Sequence, residues 1–141
     1  MTIIALLLVL IFAAIGSIHF YWAMGGKAGL QNATPTNPET EASDKLFEPG
    51  PLATIIVGIG LLFFGSLFLH QIIPFLPVPE QWINYGILAV AIIFSIRAIG
   101  DFKYAGFTKR IRNTDFARMD TRYYSPLCLV IAIGAFLIYF F

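Results

Sequence analysis

Charge is scarce in this chain. Of its 141 residues only 12% are Asp, Glu, Lys or Arg, about half the usual share of a soluble domain. So little charge cannot cover the surface of a soluble globule. The 58% hydrophobic content likewise excludes a disordered chain, which needs low hydrophobicity and high charge. Cysteine is nearly absent. Cys128 stands alone, which rules out an intramolecular disulfide framework, and it lies in an apolar run where a free thiol packs as a small hydrophobe. Two histidines and one cysteine are a poor metal inventory, so no metal and no cofactor is expected. A net charge of +1 gives no basis for a nucleic-acid partner. No glycine-rich phosphate loop, HExxH, GxSxG or CxxC occurs.

What is abundant is continuous apolar sequence, with a mean hydropathy of +0.80. The apolar runs are Thr2–Met24, Pro51–Ile73, Trp82–Ile99 and Tyr124–Phe141. Each is near or somewhat under the ~20 residues that span ~30 Å as a helix. Backbone in lipid must hydrogen-bond itself, which selects helices. LLLVLIFAAI and LLFFGSLFL are continuous rather than alternating, unlike membrane-barrel strands. The expected fold is an all-α, four-helix transmembrane bundle in one membrane domain. Its helices cover about residues 2–24, 51–73, 82–101 and 123–141, with loops 26–50 and 102–122. The last run is the shortest, ~24 Å from Pro126 onward at 1.5 Å per residue. Three spans plus a peripheral hairpin is the alternative.

Basic residues set the orientation. Lys27 and Lys45 fall in the first connection. Arg97, Lys103, Lys109, Arg110, Arg112, Arg118 and Arg122 fall at the end of the third run and in the third connection. QIIPFLPVPEQ, between the second and third runs, has none, and none precedes Lys27. The positive-inside rule then predicts an N-out/C-out protein with both long connections in the cytoplasm. A signal peptide is the rival reading of the first run. Small residues near Ala13, Ala14 and Ser17 could mimic a cleavage site, but a basic n-region is missing and the run is long. The first connection, QNATPTNPETEASDK, reads as an irregular loop. The other, DFKYAGFTKRIRNTDFARMDTRYYS, is basic and aromatic, which suits an anionic headgroup layer. Ala13/Ser17, Thr54/Gly58 and Ala91/Ser95 are small pairs four apart, a spacing that lets helices approach closely.

Ionisable residues near apolar runs mark candidate function, because burial there is costly. His19 and Trp22 share a helical face; they are either an interfacial pair or a proton donor, acceptor or ligand anchor. Arg97 and Asp101 are four apart and can meet as an ion pair. Tyr104 continues that stripe if the helix runs past Gly100. Glu48 and Asp120 precede helices, where the dipole favours a carboxylate. In this topology His19, Trp22, Glu48, Arg97, Asp101, Tyr104, Asp120 and Tyr124 share one membrane face and could line one cytoplasm-facing vestibule. His70 lies ~28 Å along its helix from the start and cannot share a metal with His19.

HFYWAMGGKAGL, FEPGPLAT, RAIGDFKYAGFTKR and DTRYYSPLCL, in that order, resemble the bacterial membrane family catalogued as domain of unknown function 3995. The resemblance covers nearly the whole chain. It implies a small four-helix protein of a bacterial cytoplasmic (inner) membrane and brings no activity with it. Its motif positions here are His19, Tyr21, Trp22, Pro49, Gly50, Pro51, Arg97, Gly100, Asp101, Tyr104, Asp120, Tyr124, Ser125 and Pro126.

Three functions compete. In the first, the vestibule binds an amphipathic or lipid-like small molecule with its polar head against Arg97, Asp101 and His19. A second has the chain as a membrane enzyme on a lipidic substrate, with His19 and Asp101 as acid and base; no nucleophile motif supports it. The third is an accessory or assembly subunit with no site, held by a membrane protein partner or as a homo-oligomer. Transport would require an oligomer, since four helices scarcely enclose a path. The lipid bilayer is a partner in all three.

Overall fold

A computed structural model of the chain describes residues 1–35 and 49–141. The described residues are helical, with no strands. Four long helices run up and down: α1 (Thr2–Ala23), α3 (Pro51–Ile72), α4 (Glu80–Ile99) and α6 (Ser125–Phe140). Two short helices lie in the connections, α2 (Leu30–Ala33) and α5 (Asp115–Met119). All four long helices are long and apolar enough to cross a membrane, the last counted from Asp115 to Phe140. Their outer faces carry exposed Leu6, Leu10, Ile56, Phe63, Ile92, Ile96, Val130 and Ile133. The charged residues on these four helices are Glu80, exposed at the start of α4, and Arg97 near its end.

The bundle is made of two close pairs, α1 with α3 and α4 with α6. Helices this apolar associate closely where small residues admit neighbouring backbones. In the first pair Gly16 faces Leu62 and the Gly58 carbonyl, and a Cβ at Gly65 would sit 3.0 Å from Phe12 Cβ. In the second pair the small residues are Ala91, Ala98, Ala132 and Ala135, all buried. Large side chains fill the space between the pairs. The Phe12 ring lies 5.8 Å from Phe68, 6.0 Å from Phe64 and 5.5 Å from Phe94. Gly134 receives Leu8 and Ile4 across the remaining seam. Of the expected small pairs, Thr54/Gly58 is buried as read. Ala91 is buried while Ser95 is only partly so, its hydroxyl bonded to the Ala91 carbonyl. Ala13 and Ser17 are exposed, and the Ser17 hydroxyl donates to the Ala13 carbonyl of its own helix.

Two boundaries differ from the sequence reading. α4 starts at Glu80, next to Pro79, and stops at Ile99 because Gly100 takes φ +97°. The last helical stretch begins at Asp115, well inside the segment read as loop 102–122. Thr114 caps it by accepting the Ala117 N–H at 3.1 Å, a standard N-cap bond. Between α5 and α6, Asp120–Tyr124 form a π-helical turn. Pro126 explains the wider turn: its ring has no N–H and would crowd the carbonyl of Arg122 in a regular α-helix. Much of the polar first connection, with Lys45 and Glu48, lies outside the described residues.

Candidate functional site

The α4–α6 connection folds back onto the end of α4. Phe107 N–H donates to Ala98 O (2.9 Å) and Thr108 N–H to Ile99 O (3.2 Å). Those are two of the carbonyls that a helix end leaves unpaired. Gly100 and Gly106 make the fold-back possible. Both have positive φ, and a Cβ on either would collide with the backbone of the other arm, Ala105 for Gly100 and Ile99 for Gly106. Asp101 ties the turn from inside: its Oδ1 accepts the N–H groups of Tyr104 (2.7 Å), Ala105 (2.9 Å) and Lys103 (3.0 Å). The little burial it has pushes its pKa up, but these backbone donors prevail and hold the carboxyl below the usual carboxylate range. Phe102, between them, is strained at φ +62° and exposed.

Asp120 is the centre of this end of the bundle. It is fully buried, and four donors converge on its carboxylate. Arg97 Nη2 reaches Oδ1 at 2.9 Å. Oδ2 accepts Lys109 Nζ (2.8 Å), the Gly106 N–H (2.8 Å) and the Ser125 hydroxyl (3.0 Å). The π-helical turn is what aligns Asp120 with Ser125, since residues five apart stack in that geometry, and Ser125 N–H bonds the Asp120 carbonyl. Lys109 is almost entirely buried and also donates to the Gly106 carbonyl at 3.0 Å. Two cations thus share one carboxylate. Arg97 is the exposed member, its side chain 36% accessible. Its Nη1 is buried and has no hydrogen-bond partner among the described residues.

A model of the family described as protein of unknown function DUF3995 matches residues 12–135. The chain belongs to that family. No curated protein and no solved structure matches it. The matched stretch of this DUF3995 chain contains the whole Asp120 cluster.

The eight residues singled out from the sequence are not one constellation in the described contacts. Arg97 and Asp120 meet directly. The expected Arg97–Asp101 pair does not form. The helix ends between them at Gly100, so the i, i+4 face is lost, and Arg97 turns to Asp120 while Asp101 serves its own turn. The same break removes Tyr104 from the α4 stripe; its ring lies 4.9 Å from Lys103 Nζ. The Tyr124 ring lies tilted against Phe116 (6.2 Å) and its hydroxyl donates to Asn32 O at 3.4 Å, tying α2 to the start of the last helix. His19 and Trp22 are paired, ring centres 5.3 Å apart. Each is tied to its own chain segment, His19 Nδ1 to Ile15 O (2.8 Å) and Trp22 Nε1 to Ala28 O (2.7 Å). Among the described residues no hydrogen bond or ion pair joins them to Arg97 or Asp120. Glu48 is outside the described residues. The reading missed Lys109 and Gly106, and it noted Ser125 only as a motif position. Lys109 sits among Lys103, Arg110 and Arg112 in one basic run, and nothing in the run's composition singles out the buried cation.

Proposed function

We propose that this DUF3995 protein is an N-out/C-out, multi-pass protein of a bacterial inner membrane whose Arg97–Asp120–Lys109 cluster binds the anionic head of an amphipathic, lipid-like ligand. The observation that carries the reading is the imbalance at Asp120: two cations meet one carboxylate, and Arg97 retains a buried guanidinium nitrogen with no partner among the described residues. An orphaned charged donor at a membrane interface is costly, and a phosphate or carboxylate headgroup supplies the missing acceptor in the geometry arginine favours. The placement of every basic residue of the connections on one side supports the orientation. His19 and Trp22, at the same end of the bundle, offer aromatic surface at headgroup depth.

Thermal unfolding of the purified protein against lysophosphatidate, decanoate and neutral lysophosphatidylcholine tests the reading. The anionic amphiphiles should raise Tm in wild type and in Arg122→Gln, whose side chain is exposed and outside the cluster, but not in Arg97→Gln. Equal shifts in all three proteins would overturn it.

One observation favours a second reading. Asp120 and Lys109 are bonded within their own chain, as in a purely structural clamp. An accessory subunit then remains the rival, and a stoichiometric membrane protein co-purifying with wild type and Arg97→Gln alike would favour it. The acid–base reading gains nothing from the geometry, since Asp101 Oδ1 is taken by three backbone donors and His19 Nδ1 by Ile15 O.

A further inference from the structure

The opposite end of the bundle holds the second histidine. His70 is buried in the last turn of α3. The turn that follows, Pro74 to Pro79, contains three prolines and so has few N–H groups. Two of those it has, on Phe75 and Leu76, donate to one atom, His70 Nδ1, at 3.1 and 3.2 Å. A backbone N–H can only donate, so Nδ1 carries the lone pair and the ring is the neutral tautomer protonated on Nε2. The Phe75 ring also leans edge-on against the imidazole, 5.5 Å between centres. The arrangement is absolute in one respect: a proton on Nδ1 turns the acceptor into a donor facing two donors.

We propose that His70 is a pH-sensitive latch that holds the α3–α4 turn closed while neutral and releases it when the imidazole gains its second proton. Histidine is the side chain suited to this, because its charge changes between pH 5 and 8 in ordinary surroundings. The titratable groups at this end are the Met1 amino group just before α1, Glu80 and Tyr85 on α4, Tyr139 on α6 and the carboxylate of Phe141 just after it, and the turn itself has none. Among the described residues no hydrogen bond links any of them to His70. Among the described residues no other hydrogen bond to the ring replaces the two that a charged ring would lose.

The experiment is nitrogen NMR of the full-length protein in nanodiscs, labelled at histidine, with amide exchange read at Phe75 and Leu76. His19 is an internal contrast: its Nδ1 faces the Ile15 carbonyl and so must be the donor, the opposite tautomer. At pH 8 the spectrum should show an Nε2–H ring at His70 and an Nδ1–H ring at His19. On acidification, protection of the Phe75 and Leu76 amides should fall about tenfold or more, the loss expected for one or two hydrogen bonds. The midpoint should be that of the His70 ring. The Ile73 amide, bonded to Leu69 O, should keep its protection. His70→Leu should show the unlatched exchange at both pH values; where that variant does not fold, the wild-type titration decides alone. An Nδ1–H tautomer at His70, a charged ring with undiminished protection, or a ring that stays neutral over the whole range in which the bundle is folded would each overturn the proposal.

Discussion

Asp120→Asn is the most informative single change in the bundle. Asparagine keeps the shape of the side chain but offers one acceptor oxygen and two N–H donors. With its oxygen toward Lys109, Gly106 and Ser125, its amide group opposes Arg97 Nη2; turned over, it opposes three donors instead of one. The first orientation therefore wins, and Lys109 keeps a hydrogen bond while losing its counter-charge. Lys109 is only 2% exposed, so it cannot recover that charge from water. Removing one partner of a buried ion pair costs about 3–5 kcal/mol, and Asp120→Asn should fall in that range. Lys109→Met should cost less, because Asp120 retains Arg97. Arg97→Met should cost least, because Arg97 is the exposed partner and Asp120 retains Lys109. The double variant Asp120→Asn, Lys109→Met should be more stable than the sum of the single effects predicts, by about 0.5–3 kcal/mol for residues sharing one network. Reversible denaturant unfolding in micelles, followed by the fluorescence of Trp22 and Trp82, measures all four. A cost under about 1 kcal/mol for Asp120→Asn, or strict additivity in the double variant, would refute the claim that this carboxylate welds the α4–α6 connection to the helix ends.

Other expectations follow from the same geometry. Gly100→Ala and Gly106→Ala should each prevent the fold-back, since a Cβ there meets backbone that cannot yield and φ is positive at both; faster amide exchange at Phe107 and Thr108 reports it. Asp101 has a lowered pKa in the folded chain. Its stabilisation of the turn is complete above the ordinary carboxyl value of 3.8 and is lost as pH falls through the lower folded value, so exchange at Tyr104 and Ala105 should quicken only in strong acid. Asp101→Asn should retain more protection there than Asp101→Ala, because its amide oxygen still accepts. Gly65→Leu should separate α1 from α3 at a cost of roughly 1–3 kcal/mol, the usual range for overpacking, while the same change at Gly60, which faces open space, should leave unfolding unchanged.

The long helices were legible because each is one continuous apolar run, and a run long and apolar enough to cross a membrane is expected to satisfy its backbone as a helix. Their packing was partly legible. Thr54 and Gly58 could be read as a close-contact pair by spacing, but so could Ala13 and Ser17, and only the neighbour decides which small face is used. The site was harder for a specific reason. Reading Arg97 with Asp101 assumes an unbroken helix, and a single glycine with positive φ at position 100 reverses the outcome. The carboxylate that Arg97 does meet is 23 residues away, beyond any periodicity.

Position 120 nonetheless left a trace in the letters. DTRYYSP places an acidic residue, a hydroxyl five positions on, and then proline. Proline cannot supply an N–H to a regular turn, and one way a helix absorbs that defect is to widen by a residue. Widening is what moves a partner from four positions away to five. The proline that looks like a helix start is therefore inside a helix that begins at Asp115, and its effect is electrostatic at one remove: it sets the turn that aims Ser125 at Asp120. Pro126→Ala follows as a test of that chain of causes. With its N–H restored, α6 can wind regularly through Asp120–Tyr124, and Ser125 rotates away from the carboxylate. Asp120 then keeps Arg97, Lys109 and Gly106 but loses one neutral donor, a cost of about 0.5–1.5 kcal/mol set against the relief of the proline defect. Pro126→Ala alone should change stability little. Combined with Ser125→Ala it should cost no more than either change by itself, whereas Ser125→Ala in the wild-type turn should show the full penalty. If Ser125→Ala costs the same in both backgrounds, proline is not what shapes the turn.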